Sequence, residues 1–235
     1  MIAKTLLRGC VALSIWTAST LFLQADPITF YLDSNSQITS SSSGVGNYIE
    51  YTHANGFKVT ATAWYAADLN SALTAAKLGR YDGGLGVCSE FDRCRQPNHA
   101  VDNNSGKDFV LFRFSGLVDP YRMTLGWASG DADVQYWVGI EKMPALQGLL
   151  IGNLADEGFA SYNLDEGDGT RSFNLLGSTG FSLLVAGQLS EYNDYFKIER
   201  LKLEVLPEDE VPEPATFGLV GASILGLVWI RRKRT

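Results

Sequence analysis

Helical periodicity is almost absent from the interior of this 235-residue chain. Between Asp26 and Val211 the apolar residues do not recur at three- and four-residue spacing, which excludes a helical bundle. No internal period repeats, which excludes a propeller or a solenoid. Basic residues are few. Of 19 Lys and Arg, two precede Asp26 and four follow Ala215, which leaves 13 against 26 acids, all between Asp26 and Glu213. A segment carrying a charge of −13 does not hold nucleic acid through its phosphates. Cysteine and histidine are rarer still, at three and two. A zinc site would need more ligands than Cys88, Cys94 and the neighbouring His99 supply. The glycine-rich stretch Gly83-Gly84-Leu85-Gly86-Val87 has no Gly-Lys-Ser/Thr and no helix pattern behind it, so it is not a phosphate loop. Close backbone approach or a bulge suits it better.

The two ends carry what the middle lacks. Met1 to Ala25 has Lys4 and Arg8, then an apolar stretch to Leu23, then a small-residue cleavage site at Leu23-Gln24-Ala25. That is the form of a secretory signal peptide, 1–25. The last stretch, 212–235, has three parts: Pro212-Glu213-Pro214, an uncharged run from Ala215 to Ile230, and the basic cluster Arg231, Arg232, Lys233 and Arg234. The run would make a helix of roughly 24 Å, a short transmembrane segment over 215–230. Arginine and lysine at its end snorkel and mark the cytoplasmic side.

In order, spacing and position this tail resembles the PEP-CTERM sorting signal of bacterial envelope proteins. The resemblance implies an exosortase as partner, a membrane-embedded cysteine protease-transpeptidase that removes the tail and releases or re-attaches the protein outside. It covers about 25 residues and gives destination and processing, not the work of the exported part.

That part, 26–206, is long enough for one well-buried domain, joined to the tail by a polar linker over 207–211. Cys10 leaves with the signal peptide. The remaining pair, Cys88 and Cys94, is even in number in an exported chain, which favours a disulfide closing a small loop.

Strand signals follow one another. Pro27 to Leu32 reads as a first strand, and a Ser-rich loop runs from Ser34 to Ser43. Asn55-Gly56 joins two runs, a hairpin signal because both residues accept positive φ. In the second run Phe57, Val59, Ala61, Ala63 and Tyr65 share one face. Asp68 to Leu78 fits a short helix or a strand. Asp108–Phe114, Tyr121–Trp127 and Asp133–Ile140 read as separate strands. Arg171–Gly177 and Gly180–Gly187 read as a hairpin. Tyr195–Val205 reads as the last strand, and its apolar phase switches near Glu199-Arg200, which predicts a bulge. Short strands and frequent turns point to an antiparallel β-sandwich, jelly-roll-like.

The densest polar stretch runs from Cys88 to Cys94, through His99 and Asp102-Asn103-Asn104, to Asp108. With Gly84-Leu85-Gly86-Val87 before it, and an apolar strand after it, it resembles a group of exosortase-dependent surface proteins over roughly Tyr81 to Gly139. They share a Gly-Leu-Gly-Val run, a His-x-Val-Asp-Asn run and an Asp opening the next strand. That group has no established enzymatic activity, so the match supplies no reaction. From the residues themselves, a Cys–His nucleophile pair is weakened because each cysteine has a nearer partner in the other. Asp102, Asn103 and Asp108 offer oxygen ligands for calcium at a spacing that fits no EF-hand. The plainer reading is that His99, Asp102 and Asn103 pin an irregular loop to a sheet edge. A second acidic loop holds Asn163, Asp165, Glu166 and Asp168.

The expectation is therefore a non-enzymatic surface or matrix protein with a structural, adhesive or polysaccharide-binding role. A secreted glycan hydrolase is the alternative. It would need two carboxylates about 5–10 Å apart in a cleft, with aromatics such as Trp64 or Trp137 along it.

Overall fold

The structure, a computed structural model, describes residues 27–89, 99–104, 106–164, 167, 169–176 and 179–207. The expected signal peptide over 1–25, Cys94, the acidic residues Asp165, Glu166 and Asp168, and the whole sorting tail lie outside these residues. Among the described residues no helix is long and apolar enough to cross a membrane.

Fourteen strands form in chain order: β1 (Ile28–Tyr31), β2 (Ser40–Ser41), β3 (Tyr48–Thr52), β4 (Lys58–Ala66), β5 (Thr74–Ala75), β6 (Lys77–Tyr81), β7 (Gly84–Cys88), β8 (Val101–Asp102), β9 (Lys107–Gly130), β10 (Val134–Gly139), β11 (Phe159–Leu164), β12 (Arg171–Asn174), β13 (Gly180–Gly187) and β14 (Asp194–Val205). All belong to one hydrogen-bonded sheet, and every ladder between them is antiparallel.

β9 is the spine. The sequence suggests two strands here, with a break around Ser115 to Pro120. Instead 24 residues run on, and the neighbours change. On one edge β4 covers Lys107 to Phe114 and β14 covers Val118 to Gly130. Pro120 has no N–H to give a ladder. The register shifts beside it, between Lys202 and Leu203. On the other edge β13 covers Phe109 to Val118 and β12 covers Arg122 to Leu125. So β12 and β13 do not form the hairpin expected around Gly177. They are successive pieces of one course, both antiparallel to β9. β3 and β2 extend the sheet beyond β4, and β10 and β11 extend it beyond β13. β1, β7 and β8 line the far edge of β14.

Both halves of β9 face one core. Val59, Ala61, Phe112, Tyr136 and Val185 from one wing pack in the same cluster as Met123, Leu125, Phe196, Ile198 and Leu85 from the other. A second cluster covers the opposite face of the first wing, where the segment after β10 folds back. Leu146, Ile151 and Leu154 there bury Trp137 and Phe109. β10 is thus buried on both faces, while Ile140, expected to continue its inward phase, is exposed.

Local chemistry accounts for most of the turns. β3 and β4 pair across Asn55-Gly56, with Thr52 opposite Lys58. Gly56 alone takes positive φ, at 89°. Its N–H reaches the His53 carbonyl at 2.8 Å and the His53 N–H reaches the Phe57 carbonyl at 2.8 Å. That is a three-residue loop with its left-handed residue last, not the two-residue turn the dipeptide suggests. β4 alternates as the sequence predicts, with Val59, Ala61, Ala63 and Tyr65 inward. Asp68–Leu78 makes no helix. Asp68 Oδ1 accepts from the Asn70 N–H at 2.8 Å and the Ser71 hydroxyl at 2.9 Å, and short strands follow. The predicted bulge in β14 is present. The register shifts on both sides of Ile198 and passes over Glu199.

The Gly-Leu-Gly-Val run is a close-approach device. A Cβ on Gly84 would lie 2.2 Å from the Ile198 carbonyl oxygen, and one on Gly86 would lie 2.0 Å from that of His99. β7 is drawn against β14 and the 99–100 segment as only glycine allows.

Candidate functional site

The two ends of β9 meet at a polar corner, where β8, the end of β13 and the start of β14 also converge. Gly187 makes room: a Cβ there would fall 2.9 Å from the Asp194 Cβ and 3.3 Å from the Asn103 Cβ. Asp194 is fully buried. Its Oδ1 accepts from the Asp133 N–H at 3.0 Å, and its Oδ2 accepts from the Gln188 N–H at 2.9 Å and from the Asn103 amide. Asn103 answers with its own Oδ1, which accepts from the Asp194 N–H at 3.0 Å, and its amide also donates to the Gln188 carbonyl at 2.9 Å. These bonds satisfy the backbone where β13 turns into β14.

Asp131, Asp133 and Asp194 bring one carboxylate oxygen each within 4.8 Å of the others. Burial pushes the Asp194 carboxyl up to about 6, the Asp133 and Asp131 charges add to the rise, and the Asp133 and Gln188 N–H groups oppose it. Arg171 lies 4.0 Å from Asp133, a loose pair. The trio Asp131, Asp133 and Asp194 is a different set from Asp102, Asn103 and Asp108. Asn103 joins the corner through its amide. Asp102 Oδ1 accepts from the Asn104 N–H at 3.1 Å, an Asx turn. Asp108 is buried at the start of β9, opposite Tyr65 of β4. Sequence reading found Asn103 and missed Asp194, 91 residues away. The only local signal was an aspartate opening a strand.

Lys107 joins this corner to the surface. It is 6% exposed. Its ammonium donates to the Asn103 carbonyl at 3.0 Å and the Glu191 carbonyl at 3.2 Å, and sits 4.8 Å from the centre of the Tyr192 ring. Burial lowers its pKa, and the Asp194 and Asp102 charges work against that.

His99 turns toward β14. Its Nε2 lies 3.3 Å from the Lys197 ammonium, which is flanked by the Tyr81 and Trp127 rings at 4.6 and 4.8 Å. The Tyr81 ring meets His99 edge-on at 4.2 Å. Cys88, buried at the end of β7, is a disulfide cysteine and does not titrate. Its expected partner Cys94 lies outside the described residues.

Three clefts bear on chemistry. One of about 460 Å³ lies between the edges of β1 and β3 and contains Tyr31, Asp33, Asn35 and His53. One of about 290 Å³ lies over Lys107 and contains Asp68 and Tyr192. One of about 280 Å³ lies beside β4 and contains Glu50, Lys58 and Arg113. Among the described residues each holds a single carboxylate. Trp137 is in the second core and Trp64 packs against it, so neither lines these clefts.

Residues 210–233 match the family profile of the PEP-CTERM protein-sorting motif. Among curated proteins, none matches the chain. The motif marks an exported bacterial protein, sorted by an exosortase toward the cell envelope or surface.

Proposed function

We propose that the chain is a cell-surface or matrix protein whose exported domain, 26–206, works by binding and display rather than by catalysis. Its role is structural, adhesive or polysaccharide-binding. The sorting motif carries this reading. It begins five residues after β14 ends at Val205, so the folded domain is delivered outside with little else attached. The domain is a jelly-roll-like sandwich in which β9 belongs to both layers, supported by the shared core of the two wings. Residues 1–25 are its signal peptide, 207–211 its linker and 215–230 its temporary membrane helix. Cys88 and Cys94 form its one disulfide. Among the described residues each of the three clefts holds one carboxylate, and Asp131, Asp133 and Asp194 converge at the buried corner instead.

Replacing Pro212, Glu213 and Pro214 by alanine tests the sorting step. The variant should still be secreted through its signal peptide, but stay uncut in the membrane fraction. If it is trimmed and released like the wild type, the motif does not direct processing and the proposal fails.

A further inference from the structure

Lys107 is buried, and among the described residues its ammonium has no counter-charge in contact. An ammonium carries three donors, and two go to backbone carbonyls. Among the described residues no carboxylate lies within 4.0 Å of it. Burying an ammonium is costly unless it is paired. This one forms part of the wall of a 290 Å³ pocket, near the lower limit for small-molecule sites. Around it stand Asn70, Asn104, Leu189, Tyr192 and, at the rim, Asp68. Tyr192 is 70% exposed. Asp68 spends Oδ1 on its own turn, which leaves Oδ2 to accept a hydroxyl.

From this geometry we infer that the pocket binds one carboxylate-bearing sugar ring of an acidic polysaccharide, its carboxylate on Lys107 and its face on Tyr192. The inference rests on the polysaccharide-binding reading above and names its site. A carboxylate suits the site better than a phosphate. There is one lysine, with no arginine fork, and the Asp68 charge at the rim opposes a doubly charged group. A sugar suits it better than an acidic peptide. Hydroxyls match the amides of Asn70 and Asn104 and the Asp68 oxygen, and a ring stacks on tyrosine as a polar chain does not. The bond from ammonium to carboxylate is charge-assisted, the stronger class. Loss of water on binding strengthens it further. The lowered Lys107 pKa fits a cation held in poor solvent.

The test uses the mature protein purified from culture and titration calorimetry. The probes are oligomers of D-glucuronate, D-galacturonate and D-mannuronate, each beside its carboxyl-reduced form. At least one uronate series should bind, and its reduced form should bind at least about tenfold more weakly, or about 1.4 kcal/mol. Tyr192→Ala and Asn70→Ala, both at the rim, should each weaken binding several-fold with an unchanged melting curve. Lys107→Met should abolish the preference for the charged form. If that variant does not fold, the two rim variants and the reduced sugars still decide. Equal binding of charged and reduced forms, wild-type affinity in Tyr192→Ala, or no uronate binding at about 10 mM overturns the site. A parallel arm uses polysaccharide from the producing cells. If it binds wild type and Tyr192→Ala alike, polysaccharide binding stands and this pocket falls. If neither it nor any uronate binds, both fall.

Discussion

Asp194 concentrates the residue-scale energetics. Its carboxyl is raised to about 6 in the folded protein by burial, against about 3.9 for a free aspartate. A carboxyl raised in this way holds its proton more tightly folded than unfolded. Its contribution to stability is full below about pH 4 and is lost as pH rises through about 6. Asp194→Asn removes the titration, but its amide sets an N–H against donors from Gln188 or Asn103. The wild type should therefore melt higher at both pH values, with the gap narrowing from pH 4 to pH 7. A gap that stays constant or widens contradicts the shift. Asn103 was legible as a loop pin because Asp-Asn-Asn is turn chemistry. Its partner was not, because nothing local in Asp194-Tyr195 says that a strand start 91 positions on will be buried against it. Lys107 was equally invisible. A lysine before an apolar strand reads as solvated, and only the fold encloses it.

At the scale of elements, alternation located most strands and failed where one element serves two neighbours. β4 was readable because one face meets the core and the other does not. β9 reads as two strands in the sequence because its apolar runs, Asp108–Phe114 and Tyr121–Trp127, are separated by Ser115 to Pro120. Those residues mark instead the point where β4 gives way to β14. The β12–β13 segment looked like a hairpin because glycines interrupt it, yet both pieces follow one edge of β9. The β14 bulge was legible, since a change of apolar phase is its direct signature. The glycines of β7 were legible as close approach, and they give a test. Gly86→Ala would drive a Cβ into the His99 carbonyl, backbone that cannot swing aside. We expect a loss of about 1–3 kcal/mol, read as a lower midpoint in urea. Gly152→Ala, where a Cβ meets nothing within 4 Å, should stay within about 0.5 kcal/mol of wild type. Equal midpoints for the two variants would refute this role for the Gly-Leu-Gly-Val run.

For the whole molecule, the sorting motif decides the destination and the middle decides what arrives there. The exported part, at −13 up to Glu213, is built for water and for long-range repulsion between copies. Any acidic polymer must be held against that field by a local site, which is why a single buried ammonium matters more than net charge. The central claim is that an exosortase delivers this domain outside without its tail. The intact mass of the protein recovered from the cell surface, measured without reductant, tests this most directly. The predicted species begins at Asp26, ends at or near Pro212–Pro214, and is two hydrogens lighter than its thiol form through Cys88 and Cys94. A mass that still includes Ala215 to Ile230 and the basic cluster Arg231–Arg234 would contradict the account.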